Sequence, residues 1–304
     1  MSSISLHKAI TQTIFDEVKS PIITSYEIGL YVFRVMQKGE YKGKELRTKT
    51  LPSRTHLNRV IKTLLDNGII SNISGLSKNV FAYAPLFLHE KDNINKLICE
   101  IDPFSYISHL SAMVYHGLTD RLPTTVFCTS LAQDEWSEQA KLKMKQDLKE
   151  KYSFFITQTN LPSFTRIHFK KNRLLGKAIN LLKTKNIKGN YVKTENGIKV
   201  ASIGRVFRDM LRKPLFCGGM QHVLDVYEEY SSIYLPYILS ELNQHGTKIE
   251  KARAGYILNE ICNIQSKEID LWLEDVQRGG SRKLDPNAPY ETRYSEKWGI
   301  SINV

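Results

Sequence analysis

Apolar residues recur along the first third of the chain at the three-and-four spacing of helices that bury one face. Leu6, Ile10, Ile14 and Val18 mark a first amphipathic helix, closed by Pro21. A second opens at Thr24, which stands three residues before Glu27 as in a capping box, and turns Ile28, Tyr31, Val32, Val35 and Met36 inward. Residues 37–50 are polar and interrupt the pattern. The third helix then carries Leu57, Val60, Ile61, Leu64 and Leu65 on one side, with Ser53 at its N-cap and Asn67-Gly68 supplying the left-handed residue that stops it. Residues 69–75 and 79–85 read as two strands joined by a turn at 75–79. Three helices followed by a hairpin is the order of a winged helix-turn-helix. The pattern therefore predicts an α+β protein, with an N-terminal winged helix-turn-helix over residues 1–90 and a larger mixed α/β domain over 91–304.

Beyond Lys91 the pattern is less regular. Residues 105–118 read as a helix and 124–130 as a strand, while the charged stretch 134–153 reads as an exposed helix or an insertion. A strand is expected over 163–171 and a hairpin over 189–202, turning at Glu195-Asn196-Gly197. Helices follow over 202–211, 219–230, 235–244, 248–263 and 266–276, and the end, 281–304, has loop composition with a closing strand.

The third helix raises a chemical question, because the side opposite its apolar stripe consists of hydrogen-bond donors. Thr55, Arg59 and Lys62 lie across from the stripe, His56 and Asn58 flank them, and Arg54 sits in the first turn. In a winged helix this element enters the major groove while the hairpin touches the backbone. Arg59 then suits guanine O6 and N7, Asn58 suits adenine, and Lys62, Lys78 and Arg54 suit phosphates, with Ser53 and Asn79 at the margins. The bland alternative is a three-helix core with a solvated polar face, or a winged helix that binds protein.

Charge sharpens this only once it is located. The 304 residues carry a net charge of +12. Residues 161–219 contain fourteen basic and two acidic side chains, and residues 1–90 twelve and seven, so the positive charge sits in two places. Within the first of these clusters, Arg205, Arg208 and Arg212 recur at helical spacing and form an expected surface for polyanions or acidic protein partners, with Asp209 able to pair with Arg205. A solvated helix face is the competing reading.

Other chemistry is thin. His109 and His116 share a helical face without a third ligand nearby, and Asp225, Glu228 and Glu229 fit a solvated acidic face better than a metal site. The four cysteines are far apart and no CxxC pair occurs, which speaks against zinc and disulfides. No phosphate-binding glycine loop and no nucleophile–base set can be assembled, so neither a cofactor, a metal nor an enzymatic activity is expected. With no apolar run long enough for a membrane span and no signal peptide, a cytoplasmic protein is expected.

Several stretches, taken in order, carry a resemblance: YISHLSAMVYHGL followed by TTVFCTS, then GIKVASIGRVFRDMLRKPLFCGGMQHVLDVYEEY, KARAGYILNEI, and KLDPNAPYETRYSEKWGISINV. With the N-terminal motif, they make the chain resemble the AbiE-type antitoxins of bacterial abortive-infection systems, the antitoxin half of type IV toxin-antitoxin pairs. The resemblance implies an N-terminal winged helix that represses its own operon by binding operator DNA. It also implies a C-terminal domain that neutralises a cognate nucleotidyltransferase toxin, directly or indirectly, in defence against phage. The segments after Met36 and around Trp136 look like insertions relative to the family's layout. A DNA-binding protein without antitoxin activity, such as a plasmid replication initiator, is the alternative; a nuclease ranks below both.

Overall fold

In the computed structural model, which describes residues 2–185, 187, 191–276 and 282–304, helices and short strands build a mixed α+β chain that divides into two units. The first comprises Met1–Ser105, Ser130–Ile179 and Lys183–Asn186; the second comprises Tyr106–Thr129, Asn180–Leu182 and Ile187–Val304. The division expected near Lys91 is not where the first unit stops. Helix Ile94–Ile101 buries Leu97, Ile98, Cys99 and Ile101, and its Glu100 accepts a hydrogen bond from Ser20 at 2.9 Å.

Within the first unit, the three N-terminal helices form where the periodicity predicts them: α1 (Leu6–Glu17), α2 (Ser25–Lys38) and α3 (Arg54–Asp66). Thr24 and Glu27 make the capping box in both directions, satisfying two of the free amides at the start of α2. Between α1 and α2 the chain contributes strand Ile22–Thr24, and after α3 come Ile70–Asn72 and Val80–Tyr83. These make an antiparallel sheet with Val80–Tyr83 in the centre, Ile23 opposite Phe81 and Ser71 opposite Ala82. Residues 37–50 are not featureless. They include a hairpin of Glu40–Tyr41 and Lys44–Leu46, whose second strand pairs in parallel with Ser3–Ile4.

The charged stretch around Trp136 is a helix, Gln133–Leu148, as expected, but it is not exposed all round. Trp136, Ala140, Met144 and Leu148, four apart, are buried under the charged remainder. The Trp136 ring stacks on Phe164 at 5.3 Å and meets Phe104 edge-on at 5.5 Å, and its Nε1 donates to buried Asp102 at 3.0 Å. Residues 163–169 form no strand, contrary to the alternation in the sequence. The buried positions there are held by side chains instead. Arg166 donates to the Leu131 carbonyl, to Ser130 Oγ at 3.1 Å and to Gln133 Oε1 at 3.1 Å.

In the second unit, strands Tyr191–Lys193, Lys199–Ala201, Tyr106–Ile107 and the 125–129 part of Thr125–Leu131 lie side by side in that order. The first two form the expected hairpin, with Gly197 at a φ of 82°; Gly189 and Asn190 at its expected start, like Ser281 at the start of the tail, lie outside the described residues. Helix His109–Tyr115 is shorter than expected, because Tyr106–Ile107 is strand. Helix Ile203–Arg212 packs on Met220–His245, a single helix that continues through Pro236 where two were expected. A helix tolerates an internal proline at the cost of one hydrogen bond and local distortion.

Helix Lys248–Gly255 runs on as a π-helical turn, Tyr256–Ile261, and the tail closes with Tyr294–Ser295 paired to Ile300–Ser301. Trp298 is fully buried, and a Cβ added at Gly255 would run into its ring. Gly255→Ala is therefore expected to cost about 1–3 kcal/mol by overpacking, read as a lower urea midpoint with an unchanged slope. A loss below about 0.5 kcal/mol would mean that the ring moves aside freely. No helix among the described residues is long and apolar enough to cross a membrane.

Candidate nucleic-acid interface

α3 buries Leu57, Val60 and Leu64 and leaves Arg54, Thr55, Asn58, Arg59 and Lys62 exposed. Its inner face follows directly from the apolar stripe; the outer face is what remains. None of Arg54, Arg59 and Lys62 forms an ion pair among the described residues. Lys78 and Asn79, exposed at the end of the turn that leads into Val80–Tyr83, belong to the same unit. The Asn79 carbonyl accepts from Ser25 N–H at 2.9 Å, which ties the base of this turn to the first residue of α2.

Two of the expected residues do something else. Ser53 occupies the N-cap position but makes no side-chain cap; its hydroxyl instead bonds His56 Nδ1 at 2.7 Å. His56 Nε2 meets the Thr50 hydroxyl at 3.3 Å, so both ring nitrogens are engaged locally. Partial burial, helped by the Arg59 charge, lowers the His56 pKa and favours the neutral ring. Ser53 and His56 are thus bonded to each other at the start of α3, whereas Thr55, Asn58, Arg59 and Lys62 remain open to a ligand.

The cap that Ser53 does not provide comes from Asn160, whose Oδ1 accepts the Arg54 backbone N–H at 2.6 Å. Nothing in the local sequence of α3 signals this partner. The neighbouring residues join it in covering α2: Phe155 lies edge-on to Phe33 at 5.2 Å, Phe164 packs on Tyr26 at 5.4 Å, and Pro162 lies against Gly29. Tyr26 also donates to Asp147 at 2.9 Å, and burial raises its pKa.

The arginines of the second charge cluster are not the surface that their spacing predicts. In the second unit Arg205 and Arg208 are buried, at 5% and 8% exposure, among carboxylates. Arg205 Nε binds Asp209 at 2.9 Å; Arg208 reaches Glu241 at 3.2 Å and Glu250 at 2.9 Å; Arg212, half exposed, binds Glu250 at 3.0 Å. Burial opposes the charge on Arg205, yet Asp209, Tyr106 and Glu241 outweigh it and the pKa is raised. Three guanidiniums facing three carboxylates leave little charge for an outside polyanion. Glu241 and Glu250 lie outside residues 161–219, so the charge balance of that segment does not contain them.

The remaining candidates belong to the second unit. His109 is buried beside the Ser108 hydroxyl at 2.9 Å, and His116 bonds the Ala201 carbonyl at 2.7 Å, so each ring has its own partner. Burial lowers both pKa values. Asp225, Glu228 and Glu229 are exposed on the long helix, where Gln221 donates to Asp225 at 3.1 Å. No group of three or more His, Cys, Asp or Glu side chains among the described residues is placed to hold a metal ion.

No family model matches the chain, and no curated protein matches it. Among solved structures it is similar to the crystal structure of the RV2827C protein from Mycobacterium tuberculosis, with a TM-score of 0.49 and 9% sequence identity over 97% of this chain and 90% of that one.

Proposed function

We propose that this protein is a sequence-specific DNA-binding repressor of its own operon and the antitoxin that counteracts a cognate nucleotidyltransferase toxin, acting in the cytoplasm as a binding protein and not as an enzyme. The observation that carries the DNA-binding part is the outer face of α3, where Arg54, Thr55, Asn58, Arg59 and Lys62 are exposed and the cations have no ion-pair partner among the described residues. The order of elements supports a winged helix-turn-helix: α1, a strand, α2, α3 and a two-strand hairpin, with the last strand central in the sheet. In that reading α3 lies in the major groove, Arg59 and Asn58 touch base edges, and Lys62 and Lys78 hold phosphates. The antitoxin role rests on the resemblance of the motif order to AbiE-type antitoxins; Arg205, Arg208 and Arg212 have no part in it as a contact surface.

The test is the binding of the full chain to a duplex from its own promoter and to a random duplex, with wild type and Arg59→Ala. Loss of a bidentate base contact is expected to weaken promoter binding by about 1–3 kcal/mol and random binding little. Unchanged promoter affinity would remove α3 as the specificity element. Co-expression with the neighbouring toxin gene tests the second role, and failure to restore growth would reject it.

A further inference from the structure

The turn between strands Ile70–Asn72 and Val80–Tyr83 is not a free tip. A second hairpin, Arg173–Leu174 paired with Lys177–Ala178, is docked on it through the backbone. The Gly75 carbonyl accepts from Lys170 N–H at 2.7 Å, and a Cβ added at Gly75, whose φ is 89°, would sit 2.6 Å from the Arg173 carbonyl oxygen. All of these residues belong to the first unit.

This second hairpin is basic and constrained. Lys170, Lys171, Arg173 and Lys177 are exposed, while Phe169 and Leu174 are buried beneath them. None of the four cations forms an ion pair among the described residues; Arg173 bonds only the Gly176 carbonyl of its own turn, at 2.8 Å. Lys171, Asn172 and Leu175, three of the seven non-glycine residues at positive φ among those described, fall in this one segment. Such backbone persists where the surroundings enforce it, and it collects at functional sites. The basic surplus of residues 161–219 therefore divides: the arginines of helix Ile203–Arg212 meet carboxylates, and these four cations meet none.

We infer that the 170–177 hairpin is a second wing, which holds the sugar-phosphate backbone of double-stranded DNA alongside the first. The inference rests on the winged-helix reading of the N-terminal helices. The partner it fits is a phosphate chain, because the hairpin presents four exposed cations against one exposed amide, Asn172, and no aromatic platform among its exposed residues. Its contribution is sequence-independent: it sets affinity and salt dependence, while Arg59 and Asn58 set preference.

The experiment compares the full-length wild type with K170Q/K171Q/R173Q/K177Q on a random-sequence duplex of about 30 base pairs and on an RNA duplex of the same length, over a salt series. Each phosphate contact adds about 0.9 to the slope of log affinity against log salt, so the wild-type slope on DNA is expected to flatten by roughly 2–4 in the variant. The ratio of promoter to random affinity is expected to stay within about threefold, whereas Arg59→Ala lowers that ratio and leaves the slope within about one contact. Melting curves check folding, and Gly75→Ala, which drives the two turns apart without touching a charge, is expected to flatten the DNA slope as well. A DNA slope unchanged within about 0.5 in the four-site variant, or a change confined to RNA, overturns the inference while leaving the α3 reading intact. If the wild type binds neither duplex, both fall.

Discussion

Glu250→Ala is expected to be among the most damaging single changes in the second unit, lowering stability by about 3–5 kcal/mol. The side chain is 4% exposed and accepts from Arg208 at 2.9 Å, from Arg212 at 3.0 Å and from the Thr247 backbone N–H at 2.8 Å. It closes the capping box of helix Lys248–Gly255 and at the same time neutralises arginines from another helix. Removing it leaves Arg208, itself 8% exposed, with Glu241 alone at 3.2 Å. An incompletely paired charge in a dry site costs more than the intact pair contributes, which is why deletion of one partner is so damaging. In thermal melting, the loss corresponds to a fall in Tm of roughly 6–20 °C for units of this size. Glu250→Gln retains a capping acceptor and removes only the charge, so it should fall between wild type and alanine. A cost below about 1 kcal/mol for the alanine variant would show that water enters and solvates the arginines.

Trp136→Ala should produce a comparable loss in the first unit, about 3–5 kcal/mol. The indole is 3% exposed, stacked on Phe164 and set edge-on against Phe104. Its removal opens a large cavity and takes one of the donors from Asp102, which is left with Phe104 N–H at 3.0 Å and Ser130 Oγ at 2.6 Å. Because Asp102 stays bonded, cavity formation dominates the loss. Trp136→Phe separates the two effects: it retains most of the stacking and loses the hydrogen bond, for an expected cost of about 0.5–1.5 kcal/mol plus a smaller packing loss. Equal losses in the two variants, by urea unfolding, would show that the hydrogen bond and not the packing holds this helix.

The first three helices were legible because their partners are local. Leu57, Val60 and Leu64 repeat at the helical period, and Thr24 and Glu27 are three residues apart, so the pattern contains its own explanation. The buried face of helix Gln133–Leu148 is hard to see in the sequence because four buried residues at intervals of four are a thin stripe among charges, and only Phe104 and Phe164 show what the stripe is for. At the candidate interface, Asn58, Arg59 and Lys62 could be named from the helix face alone. Asn160 could not, since its bond to Arg54 spans 106 residues and nothing about an asparagine in a loop announces it. The arginine stripe failed for the same reason. Spacing shows which side chains share a face, but whether that face meets water or Glu241 and Glu250 is decided by tertiary packing.

The cap that Asn160 places on α3 has a consequence for the timing of synthesis. The N-terminal sheet has its last strand once Tyr83 has been made, yet the residues that cap α3, cover α2 and seat the turn at Gly75 lie between 154 and 174. At about 5–20 residues per second, a ribosome needs roughly 5–20 s to add them. During that interval the nascent chain carries α3 without its first cap and Phe33 without its aromatic cover. Under the proposed DNA-binding role, the unit that carries α3 has its cap and cover only once residue 174 of the 304 has been made, so binding by the nascent chain begins past the midpoint of translation.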